Sequence, residues 1–247
     1  MSELLENALD SLRMGVRHFL EKKLETADKW AILELFHTIE LLLKERLYRE
    51  HPIFIYKNID QAIGDDSYTV GLREILARFT NLEIDIPKDY ANILLDLQKR
   101  RNRIEHHRFV PDKTHHQVLG EALKFIKYFL EEHLEEELEG HLPPKHFEAV
   151  KSLILSYEEL VRRAESDARS ILDRFSPKEQ AMIEIATCPQ CGNESLVLGA
   201  GEDEDKCYFC DEQIETTRCW ECGTPVNPDS LVGTICQNCF SYKMSRD

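Results

Sequence analysis

Residues 187–239 have the sequence TCPQCGNESLVLGAGEDEDKCYFCDEQIETTRCWECGTPVNPDSLVGTICQNC, and this stretch holds all eight cysteines of the chain. The cysteines form four Cys-x-x-Cys pairs: Cys188 with Cys191, Cys207 with Cys210, Cys219 with Cys222, and Cys236 with Cys239. Both thiolates of such a pair can bind one metal ion, and a short loop brings a second pair to the same ion. The spacing therefore predicts two zinc ribbons, each built around a Cys₄ site.

The first and third pairs begin two equivalent units. Cys188-Pro-Gln-Cys191-Gly and Cys219-Trp-Glu-Cys222-Gly both place glycine after the second cysteine, where a tight loop around a metal tolerates no side chain. This repeat favours one ribbon over 187–213 with ligands Cys188, Cys191, Cys207 and Cys210, and another over 214–247 with ligands Cys219, Cys222, Cys236 and Cys239. Four thiolates leave no open position for substrate, so we expect two structural Zn²⁺ per chain and no catalytic metal.

A disulfide framework is the alternative explanation for eight cysteines. Such frameworks belong to short secreted domains, and we recognise in this sequence neither a signal peptide nor an apolar run of membrane-spanning length. We therefore expect a cytoplasmic protein without a membrane segment, whose thiols stay reduced and available to metal.

The charge of the ribbons bears on what they bind. The whole chain of 247 residues has a formal net charge of −15. Residues 186–247 hold four Lys and Arg against eleven Asp and Glu, a net charge of −7 before the thiolates are counted. Phosphates are repelled by such a surface, so the tail is expected to dock a protein partner rather than nucleic acid, which is the alternative.

The rest of the chain has the apolar spacing of helices. Apolar residues recur at intervals of three and four, and His51-Pro52 interrupts the second segment. This pattern predicts a mainly α domain over 1–142, with helices over 3–24, 28–50, 68–79, 90–105 and 118–138.

A connector over 143–186 is predicted to be a long helix and a short capped one. From Phe147 to Phe175, apolar residues alternate at intervals of three and four, which is the spacing of a coiled-coil seam. The same residues would also serve a long helix that packs on its own bundle, and the sequence leaves both open. Ser176-Pro177-Lys178-Glu179 is typical of a helix start with a capping box.

Five basic residues lie within 99–108, Lys-Arg-Arg-Asn-Arg-Ile-Glu-His-His-Arg, on an otherwise acidic protein. In a helix Asn102 and His106 are one turn apart, and Arg101 is about 100° away from Asn102. Histidine can transfer protons at neutral pH, while arginine can stabilise charge on a phosphoryl group. These three residues are therefore candidates for metal-free RNA cleavage, with RNA bound along this segment.

Arg101-Asn102-Arg103-Ile104-Glu105-His106 resembles the Arg-x(4 to 6)-His signature of the HEPN superfamily, including the polar residue directly after the arginine. The helix with Glu40 and Lys44 resembles the early Glu-x-x-x-Lys helix of that superfamily, although such a pair is also an ordinary helix ion pair. The resemblance covers about residues 1–140. It implies an all-helical HEPN-like bundle that forms a homodimer and joins two motifs in one cleft.

The resemblance also implies an activity. Many HEPN proteins are metal-independent endoribonucleases of toxin–antitoxin, phage-defence or RNA-processing systems. Arg101, Asn102 and His106 would then be the catalytic set, with Glu40 and Lys44 in support, and cleavage would leave 2′,3′-cyclic phosphate ends. Arg108 stands where some of these toxins carry a modified tyrosine, so that form of control is not expected. The alternative is a catalytically silent domain that binds RNA or nucleotide, or an adaptor that scaffolds other proteins.

Overall fold

The computed structural model divides the chain into two compact units, Met1–Tyr157 and Glu158–Asp247. The residues that it describes are 2–21, 26–60, 63–64, 67–106, 115–188, 191, 193–201, 204–213, 217–221, 223, 225–226 and 231–236. The described part of the chain is mainly helical, as the apolar spacing predicts.

The first unit is built from helices. They are α1 (Glu3–Glu21), α2 (Ala27–Glu50), α3 (Leu72–Asn81), α4 (Lys88–His106), α5 (His115–Leu134) and the first half of α6 (Pro144–Leu172), with 3₁₀ turns at Pro52–Ile55 and Leu138–His141. Each long helix has an apolar face, and these faces meet in one core that includes Leu35, Phe79 and Phe129. Burial of these faces is the main driving force for the unit.

The end of α2 follows directly from the sequence. The helix ends at Glu50, and His51 adopts an extended backbone conformation with its N–H bonded to the carbonyl of Leu47. Proline has no N–H to donate and disfavours a helical residue before it, so Pro52 begins a new 3₁₀ turn instead. The predicted interruption at His51-Pro52 is confirmed.

The first part of the apolar stripe of α6 is covered within its own chain. Val150 and Ile154 belong to the core of the first unit, and Tyr157 is 4% exposed, with its hydroxyl donating to the Glu121 carboxylate at 3.1 Å. The approach to α5 is close, because a Cβ at Gly120 would lie 2.8 Å from the Cβ of Tyr157. Over residues 150–157 the described packing is that of a long helix against its own bundle.

The second unit contains the end of α6, the short helix α7 (Pro177–Gln180) and three antiparallel hairpins. Strand β1 (Glu184–Ala186) pairs with β2 (Leu196–Leu198), β3 (Thr217–Arg218) with β4 (Pro225–Val226), and β5 (Leu231–Val232) with β6 (Ile235–Cys236). The predicted start of α7 is present, since the Glu179 carboxylate accepts hydrogen bonds from the Ser176 N–H and hydroxyl at 3.0 and 2.7 Å. Within this unit Ala168 and Ile171 pack against Val197.

None of the helices in the described residues combines the length and the apolar composition needed to cross a membrane.

Candidate metal centre and candidate RNA site

The first predicted Cys₄ set is assembled in the structure. The Sγ atoms of Cys188, Cys191, Cys207 and Cys210 all lie within 4.8 Å of one another. Cys188 and Cys210 are 3.8 Å apart at Sγ, and Cys191 and Cys207 are 3.6 Å apart. These distances are too long for a disulfide of about 2.05 Å. They match the edge of about 3.8 Å that four Zn–S bonds of ~2.3 Å give a tetrahedron.

Backbone turns and one hydroxyl hold this Cys₄ cluster in place. The N–H of Cys188 donates to the carbonyl of Asn193, and the N–H of Cys207 donates to that of Glu212, both at 2.9 Å. The buried Ser195 hydroxyl lies 3.3 Å from Cys207 Sγ. Hydrogen bonds from the neighbouring thiols, and then from Ser195, hold the pKa of Cys207 below its ordinary value, while hydrogen bonds within the same cluster raise the pKa of Cys191 and Cys210.

The acidic segment between the two cysteine pairs has a defined turn in its described part. The Asp205 carboxylate accepts from the N–H groups of Ala200 and Gly201 at 2.7 and 3.1 Å, and Gly201 has a φ of 121°, which only glycine adopts readily. Glu204 pairs with Arg174 at 2.7 Å and accepts a hydrogen bond from the Tyr208 hydroxyl. The ion pair with Arg174 therefore neutralises part of the negative charge of this segment.

The second predicted Cys₄ set is described only in part. Cys219 is buried, and the N–H of Gly223 donates to its carbonyl at 2.8 Å. Gly223 has a φ of 73°, so glycine after the second cysteine serves the tight loop that the sequence predicts. Cys236 ends strand β6, while Cys222 and Cys239 lie outside the described residues.

The candidate RNA site lies on α4. Leu94, Leu97 and Ile104 are buried in the core, which fixes the orientation of the helix. Asn102 and His106 are exposed one turn apart, with His106 as the last residue of α4. The structure therefore gives these two side chains a common exposed face, as the spacing predicts.

Arg101 is held by three neighbours. Its Nη1 donates to Asn102 Oδ1 at 3.0 Å and lies 2.7 Å from Glu105 Oε2. The guanidinium carbon is 5.7 Å from the ring centroid of Phe36 on α2, within range of a cation–π interaction. A half-buried arginine needs an anionic partner, and the Glu105 carboxylate is that partner. Because the two residues are four positions apart in a helix, the pair could have been identified from the sequence.

Glu40 and Lys44 form a separate pair on α2. Lys44 Nζ lies 3.1 Å from Glu40 Oε1 and donates to Thr69 Oγ1 at 3.1 Å. Among the described residues, no hydrogen bond or ion pair joins this pair to Arg101, Asn102 or His106. The contacts correspond to the ordinary helix ion pair that the sequence left open.

Comparisons of this chain with models of protein families, with curated proteins and with solved structures found no match.

Proposed function

We propose that the protein is a metal-independent endoribonuclease of HEPN type that cleaves single-stranded RNA at Arg101, Asn102 and His106. The observation that carries the proposal is the arrangement on α4, where Arg101 is bonded to Asn102 and His106 follows one turn later on the exposed face. A homodimer would bring two such sets into one cleft.

The chemistry follows from these side chains. The ribose 2′-oxygen attacks the adjacent phosphorus as its proton is removed, and the 5′-oxygen of the next nucleotide leaves with a proton. His106 can serve as base or acid, and its counterpart in the second copy can take the other role. Arg101 stabilises the charge on the phosphoryl oxygens, and the products are a 2′,3′-cyclic phosphate and a 5′-hydroxyl.

A silent RNA-binding or adaptor domain is the second candidate. It is favoured by the ion pair of Arg101 with Glu105, which offsets the arginine charge near the phosphate position. RNA cleavage and silent RNA binding need the same exposed face of α4, so only an assay of cleavage separates these two functions.

The deciding experiment incubates purified protein with single-stranded RNA in excess EDTA. His106→Ala and Arg101→Ala are each expected to lower the cleavage rate at least ~10²-fold, and Asn102→Ala less. His37→Ala is the matched control, since His37 is an exposed histidine on another helix and should leave the rate unchanged. Intact RNA with folded wild-type protein would favour the silent domain, and undiminished cleavage by His106→Ala would place the chemistry elsewhere.

For the tail we propose two structural Zn²⁺ ions, one in each Cys₄ set, and a docking role toward a partner protein. Support comes from the fit of the first set, whose four buried or half-buried thiols have tetrahedral spacing. Elemental analysis should find about two zinc ions per chain, about one in Cys207→Ser, and about one in Cys222→Ser. Equal metal content in wild-type protein and Cys207→Ser would contradict the first site.

A further inference from the structure

Within the part of the chain that the structure describes, Arg101 makes both of its polar contacts through one nitrogen, Nη1. Asn102 Oδ1 and Glu105 Oε2 lie 3.0 and 2.7 Å from Nη1, and the Phe36 ring lies against the guanidinium group. The other edge of an arginine, formed by Nε–H and one Nη2–H, is a fork whose spacing matches two oxygens of one phosphate. Asn102 and Glu105 therefore restrain the guanidinium through the nitrogen that this fork does not use, and the Phe36 ring restrains the group as a whole.

We infer that Glu105 is a positioning residue, which holds Arg101 so that its Nε–Nη2 edge binds both non-bridging oxygens of an RNA phosphodiester. This inference rests on the proposed RNA site and extends it to a residue and a mode of contact that the Arg-Asn-x-x-x-His motif does not include. Glu105 acts through Arg101 and does not itself contact the phosphate.

Charge and burial agree with this role. The side chains of Arg101 and Glu105 are 35% and 33% exposed, so each is largely covered and still reachable by a ligand. Without Glu105 the arginine would have to be ordered when RNA binds, at a cost in affinity. Because Asn102 Oδ1 accepts from Arg101, its Nδ2 amide is the part that can donate to the same phosphate.

The alternative role for Glu105 is that of a lock, which occupies Arg101 and repels phosphate. The two roles predict opposite effects of removing the side chain. A positioning carboxylate makes Glu105→Ala bind RNA more weakly, whereas a lock makes it bind more tightly. Glu105→Gln keeps an oxygen that can accept from Nη1, so it should rescue binding in the first case.

The test measures binding of a single-stranded 2′-O-methyl RNA, which lacks the attacking hydroxyl and is not cleaved. Glu105→Ala should raise Kd roughly 3- to 10-fold, while Glu105→Gln should stay within about 2-fold of wild type. Arg101→Lys keeps the charge without the fork and should bind as weakly as Arg101→Ala. Arg73→Lys is the control, since Arg73 is an exposed arginine on α3, outside the proposed RNA segment, and it should change Kd less than about 2-fold.

Tighter binding by Glu105→Ala, or full affinity in Arg101→Lys, would overturn the inference. The cleavage assay fails or succeeds separately, because this probe reports binding alone. If the protein binds the probe with these variant effects but cuts no RNA, the proposed contact between Arg101 and phosphate stands. The proposed ribonuclease activity is then refuted. Circular dichroism of each variant checks that the total helical content is that of wild type.

Discussion

Replacing Ile154 with alanine tests whether the seam of α6 is filled by its own chain. Ile154 is 7% exposed within the core of the first unit, whereas its neighbour Leu155 is 53% exposed. Truncation of a buried isoleucine to alanine costs about 2–5 kcal/mol, and some residual exposure at this site points to about 2–3 kcal/mol. Leu155→Ala, the matched control on the same helix, should cost less than about 0.5 kcal/mol.

Urea denaturation followed by far-UV circular dichroism measures both costs, and light scattering of the folded variants measures their mass. If the seam is filled within the chain, Ile154→Ala loses stability while its oligomeric state stays that of wild type. A loss below about 1 kcal/mol would refute this packing. So would a folded Ile154→Ala monomer from a dimeric wild type, since the seam would then lie between chains.

Three further predictions concern single side chains. Ser195→Ala removes the hydroxyl beside Cys207 and should weaken zinc binding about 10- to 100-fold in a competition with a chelating dye, whereas unchanged affinity would exclude a role for this contact. Burial lowers the pKa of His133, so the folded protein disfavours protonation of this side chain and should lose stability as the pH falls below about 6.5. His133→Gln should reduce that loss, whereas a variant with the pH profile of wild type would contradict a role for His133. Gly120→Ala forces a Cβ against Tyr157 and should lower stability by about 1–3 kcal/mol in urea denaturation, whereas wild-type stability would show that α5 and α6 can separate.

Local rules account for much of what the sequence predicts correctly. Pro52 ends α2 because proline restricts its own backbone and that of His51, whatever the surrounding fold. Ser176 and Glu179 start α7 through contacts three residues apart. The Cys-x-x-Cys spacing likewise brings two thiols to one point, and the equivalent pairs correctly select Cys188, Cys191, Cys207 and Cys210 as one cluster.

The contacts of the candidate RNA site were less predictable. The spacing of Asn102 and His106 places them on a common face, because a helix repeats every 3.6 residues. The same periodicity offers Arg101 several partners, and the choice among Glu105, solvent and another chain depends on how α4 lies in the bundle. The aromatic ring of Phe36 reaches Arg101 from α2, a contact across 65 residues that no local pattern encodes.

The sequence by itself determined the mainly helical class, the end of α2 at Glu50, the start of α7 after Ser176, and the cysteines of the first Cys₄ cluster, since each depends on neighbours a few residues apart or on a repeated spacing. Tertiary structure decided which surface covers the α6 stripe, how Arg101 is held, and that the Ser195 hydroxyl reaches Cys207. Removing an apolar stripe such as that of α6 from water gains about the same free energy whichever apolar surface covers it. Only the packing of the folded chain therefore selects that surface.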